Sequence, residues 1–233
     1  MAIFAISDLH LSLSTDKPMD IFGSNWENYT ERMRENWNRI VSPEDLVLIP
    51  GDISWAMYLQ EAQEDFSYIN ALNGQKILLR GNHDYWWTTL NKMERFVEEQ
   101  GFDTLHFIKN TAFLWNGTAI CGTRGWTIAG AGASAEDKKI YERERQRILL
   151  SLEDAKALHP DRILVAMHYP PMEKDAVLPG FMDILESYHV SECIFGHLHA
   201  SAQRFAPQGV VNGIRLRLVA CDYVAFTPVL IEI

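Results

Sequence analysis

Short apolar runs alternate with amphipathic stretches through the first hundred residues of the chain. Consecutive apolar residues predict buried strands at residues 3–6, 46–49 and 77–79. Apolar residues at helical spacing predict helices between these strands and after them, at residues 24–40, 59–69 and 90–97. Ser24 and Glu27 have the spacing of a capping box, so we expect the first helix to begin there. Strands and helices that alternate in this way favour an α/β fold.

The pattern changes after residue 110. Residues 112–115 and 118–121 flank Asn116-Gly117, a pair that favours a tight hairpin and therefore antiparallel pairing. Residues 123–135 are rich in Gly, Ala and Thr and are predicted to form an ordered loop or flap. Further elements are predicted as a charged helix at 136–158, strands at 163–167 and 193–195, and short strands with turns from Ala202 onward. The sequence has no repeat and no linker, so a single domain over residues 1–233 is expected.

Composition narrows the functional classes. Hydrophobic residues make up 47% of the chain, and the net charge of −10 disfavours generic binding to nucleic acid or to anionic lipid. The three cysteines lack metal-type spacing and are predicted to be buried thiols in a reducing compartment. The first residues enter a strand pattern directly, and no apolar run approaches the length of a membrane span. A cytoplasmic location is therefore expected.

Residues with metal-binding side chains follow five of the predicted strands. They form five short blocks, Asp8-Leu9-His10, Gly51-Asp52, Gly81-Asn82-His83-Asp84, Met167-His168-Tyr169 and Gly196-His197-Leu198-His199. Because loops beyond the carboxyl ends of strands carry the chemistry of open α/β sheets, we expect these five loops to form one site. The oxygen and imidazole ligands, without thiolate, suit manganese, iron, zinc or nickel.

Two divalent ions about 4 Å apart can hold a hydroxide between them, neutralise phosphoryl oxygens and stabilise an in-line displacement. Such a pair requires a bridging carboxylate. Asp52 directly follows a glycine, so its loop can approach both ions closely, and it is the natural bridge. Imidazoles and an amide oxygen fill the remaining positions without adding so much negative charge that a phosphate ester is repelled.

In order and local context, the five blocks resemble the calcineurin-like metallophosphoesterases, whose pattern is D-x-H, G-D, G-N-H-D/E, H and G-H-x-H. The resemblance covers nearly the whole chain. It implies an α/β fold of four layers, an α/β/β/α sandwich in which two mixed sheets are flanked by helices. It also implies two divalent ions, with Mn²⁺ or Fe favoured and Zn²⁺ or Ni²⁺ as alternatives, and a small phosphorylated substrate.

The resemblance assigns a role to each residue of the blocks. One metal would be held by Asp8, His10, Asp52 and His199, and the second by Asp52, Asn82, His168 and His197. His83 would protonate the leaving-group oxygen as a general acid, and Asp84 would orient its imidazole.

Departures from the family pattern bear on the substrate. Phosphoprotein phosphatases carry G-D-x-x-D-R-G, whereas this chain has Gly51-Asp52-Ile53-Ser54-Trp55-Ala56, so a small phosphodiester or phosphomonoester is favoured. Two alternatives stay open: a hydrolase of lipid-linked pyrophosphates and a non-catalytic scaffold that binds a partner. The sequence leaves open the physiological substrate, the choice between diester and monoester, the native metal and the oligomeric state.

Three further residues are candidates for substrate binding. Arg80 precedes the Gly-Asn-His-Asp block and either contacts phosphate or forms a buried ion pair. Arg124 and Trp126 lie in the predicted flap and would bring a cation and an aromatic face to the substrate, although Arg124 could instead tie the hairpin to the core. Trp126, like Trp55, Trp86 and Trp87 near the other motif loops, either packs in the core or rim or stacks on an aromatic group.

Overall fold

The computed structural model describes residues 1–128, 130, 132–174 and 180–232. Within these ranges, eleven strands are found: β1 Ile3–Ala5, β2 Leu46–Pro50, β3 Gln75–Leu79, β4 Leu105–Phe107, β5 Ala112–Trp115, β6 Thr118–Thr123, β7 Arg162–Met167, β8 Glu192–Phe195, β9 Gly209–Val211, β10 Ile214–Leu218 and β11 Val229–Ile231. The same ranges contain five α-helices: α1 Tyr29–Ile40, α2 Gln63–Asn70, α3 Leu90–Gln100, α4 Ala135–Ala157 and α5 Met182–Ser187.

The strands form two mixed sheets. The first has the order β11-β1-β2-β3-β4, in which β1 to β4 are parallel and β11 pairs with β1 in the antiparallel sense. The second has the order β5-β6-β7-β8-β10-β9, in which the four central strands are parallel and both edge strands are antiparallel. Parallel pairing brings the carboxyl ends of the central strands to one edge of each sheet, where the metal-binding blocks begin.

The two sheets pack face to face. Their shared core contains Ile3, Leu48 and Ile77 from the first sheet and Leu164 and Ile194 from the second. Strand side chains alternate between faces, so the neighbours of these residues point outward into two further apolar cores. Both faces of each sheet are therefore buried, as the continuous apolar strands indicate.

Helices cover the outer face of each sheet. Trp37 of α1, Phe66 of α2 and Met93 of α3 pack in one core with Val47 and Leu78 of the first sheet. Ile148 and Leu152 of α4 and Leu185 of α5 pack in another core with Val165 and Cys193 of the second sheet. The four-layer α/β/β/α sandwich expected from the resemblance is thus confirmed.

Two local predictions are wrong. Ser24 does not cap the first helix, because Ser24–Trp26 forms a short 3-10 helix and α1 begins at Tyr29, after Asn28 in a left-handed conformation (φ 51°). The 3-10 turn allows the Trp26 ring to pack edge-on against Tyr29, with ring centroids 5.2 Å apart. Near the other end of the chain, Ala200–Phe205 is a 3-10 helix rather than a strand.

The predicted hairpin at Asn116-Gly117 is confirmed, with φ of 45° and 77°.

One charged side chain is buried inside the first sheet. Lys76 of β3 is fully buried, and its Nζ donates to the Leu72 carbonyl, to the Asn70 carbonyl at the end of α2 (3.4 Å) and to Thr104 Oγ1 (3.2 Å). Burial lowers the pKa of Lys76 to about 8.

The three cysteines are buried and free, as predicted. No helix in the described part of the chain has both the length and the apolar character needed to cross a membrane.

Candidate metal centre

All seven predicted metal ligands lie together at one edge of the sandwich. Their loops follow β1, β2, β3, β7 and β8, whose carboxyl ends meet there. Six of the seven residues are connected by close contacts between their ligand atoms in two overlapping groups, one formed by Asp8, His10 and His199 and the other by Asp8, Asp52 and His168 with Asn82. The seventh, His197, contacts Asn82.

The first group is compact. Ligand atoms of Asp8, His10 and His199 all lie within 4.8 Å of one another. Asp8 Oδ1 is 3.2 Å from His199 Nε2, and His10 Nε2 is 3.4 Å from His199 Nε2. Asp52 Oδ2 also contacts this group and lies 3.7 Å from His10 Nε2. These four residues are the set that the resemblance assigns to one metal.

Asp8 belongs to both groups, and Asp52, a member of the second group, also contacts the first. Asp52 Oδ2 is 3.4 Å from His168 Nε2, so this carboxylate oxygen faces imidazoles of both groups. Asn82 Oδ1 is 2.7 Å from His168 Nε2 and 3.0 Å from His197 Nδ1. The position of Asp52 between the groups is the position that a bridging carboxylate requires.

Hydrogen bonds on the outer side of two imidazoles fix which nitrogen faces the site. His168 Nδ1 lies 3.1 Å from the Pro50 carbonyl, which can only accept, so Nδ1 carries the hydrogen and Nε2 presents a lone pair to the oxygens of Asn82 and Asp52. His199 Nδ1 likewise faces Asp222 Oδ1 at 2.9 Å. Lone pairs that converge on oxygen acceptors repel one another, and a cation between them removes the repulsion. The donor set therefore fits divalent metal ions.

The ionisation of His10 and His197 agrees with that fit, whereas the pKa values of Asp52 and His199 are raised by the charged groups close to them. Burial lowers the pKa values of His10 and His197 to about 3, which keeps both imidazoles neutral and able to bind metal. Burial and the neighbouring Asp8 raise the pKa of Asp52, because two carboxylates close together lack a compensating cation. Burial would also lower the pKa of His199, but Asp8 and Asp222 outweigh it and raise that pKa to about 10.

The backbone turns sharply at four of the ligands. Asp8, His10, Asp52 and His197 have φ values of 59°, 45°, 52° and 69°, in the left-handed region that residues with a side chain rarely adopt. Each such residue costs on the order of 1 kcal/mol or more, and this strain is typical of functional sites. Here it bends each loop immediately after its strand and directs the side chain into the site.

Two glycines of the motif are required by the close approach of neighbouring loops. A Cβ atom at Gly81 would collide with the carboxylate and the backbone nitrogen of Asp52. A Cβ atom at Gly196 would collide with the carboxylate of Asp8 and with the side chain of Ser7. Each glycine therefore allows one ligand loop to pack directly against the next.

Asp84 connects two ligand loops. Its carboxylate is fully buried and accepts five hydrogen bonds, from the backbone nitrogens of Asp52 (2.9 Å), Gly81 (2.7 Å), Ile53 (2.9 Å) and Ser54 (3.3 Å) and from Trp86 Nε1 (3.1 Å). Among the described residues no hydrogen bond joins Asp84 to the His83 ring. The expected orientation of His83 by Asp84 is therefore not seen. The carboxylate instead holds the Asp52 loop against the Asn82 loop.

The His83 ring lies beside the first group of ligands. Its centroid is 4.5 Å from that of Trp55 and 5.7 Å from that of His10, and the ring is partly buried. Its Nδ1 is buried and has no hydrogen-bond partner among the described residues. Burial lowers the pKa of His83. Packing against Trp55, which also stacks on His10 at 5.1 Å, positions the ring.

The model of the calcineurin-like phosphoesterase family matches residues 1–201. The chain belongs to this family. Its members are generally metal-dependent phosphoesterases, and the Asp and His clusters of this chain are consistent with the metal binding typical of the family.

Individual relatives are more distant. The protein MJ1445 of Methanocaldococcus jannaschii is 30% identical over 105 residues, which are 43% of this chain and 54% of that protein. The chain thus spans about half the length of this curated relative.

Solved structures of similar fold cover nearly the whole chain. The phosphopantetheinyl hydrolase PptH of Mycobacterium tuberculosis is 14% identical with a TM-score of 0.57, over 99% of this chain and 96% of that one. The protein AQ665 of Aquifex aeolicus, of unknown function, is 17% identical with a TM-score of 0.50, over 98% and 95%. The protein TT1561 of Thermus thermophilus is 14% identical with a TM-score of 0.53, over 84% and 81%. At these identities the likeness shows the fold alone.

The sequence pattern missed one residue of this calcineurin-like phosphoesterase site. Asp222 accepts from His199 Nδ1 (2.9 Å) and from the Ala200 backbone nitrogen (3.2 Å), so it orients a predicted metal ligand. Asp222 follows β10, another parallel strand of the second sheet. Its place after a strand was the available signal, but it lies in no motif block.

The three predicted substrate residues divide between two cavities of this family member. Arg80 and Arg124 line one cavity, where the Arg124 side chain lies 3.5 Å from the Glu144 carboxylate and 4.5 Å from the Trp126 ring. Trp126 lines another cavity, beside His197. Residues 129 and 131 of the predicted flap lie outside the described residues.

Proposed function

We propose that this chain is a phosphoesterase that binds two divalent ions and hydrolyses a small phosphate ester. The observation that carries the proposal is the single carboxylate oxygen of Asp52 that faces two groups of ligands, 3.7 Å from His10 Nε2 and 3.4 Å from His168 Nε2. When bound, two such ions make a nucleophile from water at neutral pH and neutralise the phosphoryl oxygens.

The protein supplies the ligands for this chemistry. Asp8, His10, Asp52 and His199 would hold one ion, and Asp52, Asn82, His168 and His197 the other. Pro50 and Asp222 hold His168 and His199 by their outer nitrogens, so the inner nitrogens keep their direction when a metal binds or leaves. Manganese or iron is our first expectation for the metal, since the ligands are oxygen and imidazole.

His83 is proposed to donate the proton that the leaving-group oxygen needs. Its ring packs against Trp55, and because Nδ1 is buried, Nε2 is the nitrogen that we expect to face the substrate. The lowered pKa makes the protonated ring a stronger acid, and the negative charge of a bound phosphate ester favours the protonated form. Asp84 supports this step indirectly, by holding the loop that carries His83.

A cavity beside the metal centre offers space for the rest of the substrate. It has a volume of about 420 Å³ and is lined by Trp126, Tyr169, Phe205 and Lys174, with His197 at one side. The Tyr169 ring lies only 3.9 Å from the His197 ring, so the cavity begins at a metal ligand. A volume in this range suits a small organic molecule, and the aromatic walls favour a planar or apolar group.

The two alternative functions receive less support. A partner-binding scaffold has no need for seven ligands directed at one point. A lipid-linked pyrophosphate hydrolase would use the cations of α4 at a membrane surface, but one of them, Arg145, is paired with Asp183 within the protein (2.6 Å).

The test is an activity screen of the manganese-loaded protein against bis-p-nitrophenyl phosphate, p-nitrophenyl phosphate and a panel of nucleotides. Asp52→Asn should lose most bound metal and nearly all hydrolysis, because it removes the bridging charge. Two equivalents of metal with full activity in this variant would refute the bridging assignment.

His83→Ala separates proton transfer from metal binding in the same screen. This variant should keep its metal and turn over about 10²–10⁴-fold more slowly. The loss should be smaller for p-nitrophenolate, which leaves without protonation, than for an alkoxide. An equal loss for both leaving groups would contradict the general-acid role.

A further inference from the structure

A second cavity lies beside the metal centre and is lined by cations. Its volume is about 300 Å³, and it lies where β3, β4 and β6 end, against α4. Four basic residues line it: Arg80, Lys109, Arg124 and Arg147. None of them is a proposed metal ligand. The whole chain carries a net charge of −10, so this concentration of positive charge is local.

The cations outnumber the acids that line this basic cavity. Glu144 is the one acidic residue among the described lining residues, and it is fully buried. Its carboxylate is shared by Arg147 Nη1 (2.6 Å), Arg124 Nη2 (3.5 Å) and Thr123 Oγ1 (2.6 Å). Lys109 donates to the neutral carbonyl of Thr88 (2.6 Å). The cavity therefore has one carboxylate for four cations, so a simple buried ion pair does not account for the four basic side chains.

Two buried donors of the cavity residues lack an acceptor. Arg80 Nε and Arg124 Nε are both buried, and neither has a hydrogen-bond partner among the described residues. The Arg124 side chain is only 10% exposed, so bulk water does not readily replace the missing acceptor. Buried polar groups in folded proteins are nearly always satisfied, and unsatisfied guanidinium nitrogens in a basic cavity call for an anion.

Electrostatics within the basic cavity points the same way. Burial lowers the pKa values of Arg124 and Lys109, and the positive charges of Arg80 and Arg147 lower them further. Glu144 opposes this effect at Arg124, yet the pKa of this arginine is still lowered. The cations therefore repel one another in a setting that one bound anion would relieve.

We propose that the basic cavity is a second anion site, which binds a phosphate group next to the metal centre. Guanidinium groups match the geometry of phosphate oxygens, and a cavity of about 300 Å³ accepts a small phosphorylated molecule. The site adjoins the proposed active site through the chain itself: Arg80 precedes Gly81-Asn82, and the Arg124 carbonyl accepts from the His168 backbone nitrogen (3.1 Å). Binding at this cavity requires neither metal nor hydrolysis, so it is independent of the proposed function.

Calorimetric titration of the chelator-treated protein with inorganic phosphate, and separately with pyrophosphate, tests the proposal at constant ionic strength. The parent should show saturable binding. Arg147→Gln should weaken it about tenfold, on the scale of one charge-assisted hydrogen bond. Arg39→Gln removes the same charge from the exposed face of α1, outside the cavity, and should bind like the parent.

Folding of the variants is checked by thermal unfolding in the absence of phosphate. Glu144 keeps Arg124 and Thr123 as partners in Arg147→Gln, and Lys109→Gln provides a second cavity variant whose affinity should also fall. Three results would overturn the proposal: no saturable binding of either anion to the parent, parent-like binding by both cavity variants, or an equal loss in Arg39→Gln. The metal-free titration measures anion binding and not catalysis. A failure of this proposal can therefore be distinguished from a failure of the proposed function.

Discussion

Replacement of Asp84 by Asn tests the role of this residue as the connection between two ligand loops. The amide has the shape of the carboxylate, but one oxygen becomes an NH2 group. Asp84 Oδ2 faces the backbone nitrogens of Asp52 and Gly81, and Oδ1 faces those of Ile53 and Ser54 together with Trp86 Nε1. In either orientation, the new NH2 group therefore opposes at least two donors.

The cost follows from these contacts. A hydrogen bond to a charged group contributes roughly 1.5–3 kcal/mol. The donors that lose such a bond are buried, so water does not replace the missing acceptor. With two bonds lost, Asp84→Asn should lower the free energy of unfolding by about 3–5 kcal/mol, a range also found when one partner of a buried charged pair is removed. For a chain of this size, that loss corresponds to a Tm lower by roughly 6–20 °C.

Urea unfolding in a chelator buffer at pH 8 measures this loss without a contribution from bound metal. Burial and Asp52 raise the pKa of Asp84 to about 6, so its carboxylate is ionised under these conditions. Asp16→Asn, at an exposed position, is the matched control and should stay within about 0.5 kcal/mol of the parent. His83→Ala should also leave the loop connection intact. If Asp84→Asn lost less than about 1 kcal/mol while its activity collapsed, the carboxylate would act on His83 or the substrate and our assignment would be refuted.

Two further predictions concern a residue near the metal centre and one far from it. Asp222→Asn should weaken metal binding about 10- to 100-fold in a chelator competition, because the amide lacks the negative charge and keeps only one acceptor for two donors, His199 Nδ1 and the Ala200 backbone nitrogen. Unchanged affinity would remove Asp222 from the site. Lys76→Met should abolish a rise of stability with pH. The pKa of Lys76 is about 8 in the folded protein, against 10.5 for the free side chain. Between these two pH values the folded state binds fewer protons than the unfolded state. The stability of the parent therefore increases from about pH 8 to pH 10.5, by up to about 3 kcal/mol. Urea unfolding at pH 7 and pH 10 measures this rise, and an equal rise in the variant would contradict it.

The long elements and the five ligand blocks could be predicted because each depends on a local signal. Buried parallel strands are continuous apolar runs, and each ligand block begins where such a run ends. The elements β4, β11 and α5 are only three to six residues long, too short for periodicity to register, and none of them is followed by one of the five blocks. The capping box at Ser24 failed because the burial of Trp26 outweighed a local propensity.

Side-chain partners within the site depend on tertiary contacts and were harder to predict. Asp222 reaches His199 across 23 positions of sequence, a contact that no motif records. Asp84 is adjacent to His83 in sequence, and the family resemblance implied that the two side chains interact. In the fold, the Asp84 carboxylate instead accepts hydrogen bonds from backbone nitrogens of a loop about 30 residues away. Neighbours along a chain that turns sharply need not face each other.

The span of chain between Asp8 and its contacts has a consequence for biosynthesis. Asp8 accepts from the His197 backbone nitrogen across 189 positions, and β1 is completed only when β11 pairs with it. At about 5–20 residues per second, on the order of ten seconds or more separates the emergence of these two ligands from the ribosome. During that interval the nascent chain carries Asp8, His10 and Asp52 without the histidines that complete their groups. We therefore predict that metal binding at this site comes late in the maturation of the protein, since a truncation before residue 197 would remove two of the seven predicted ligands, His197 and His199.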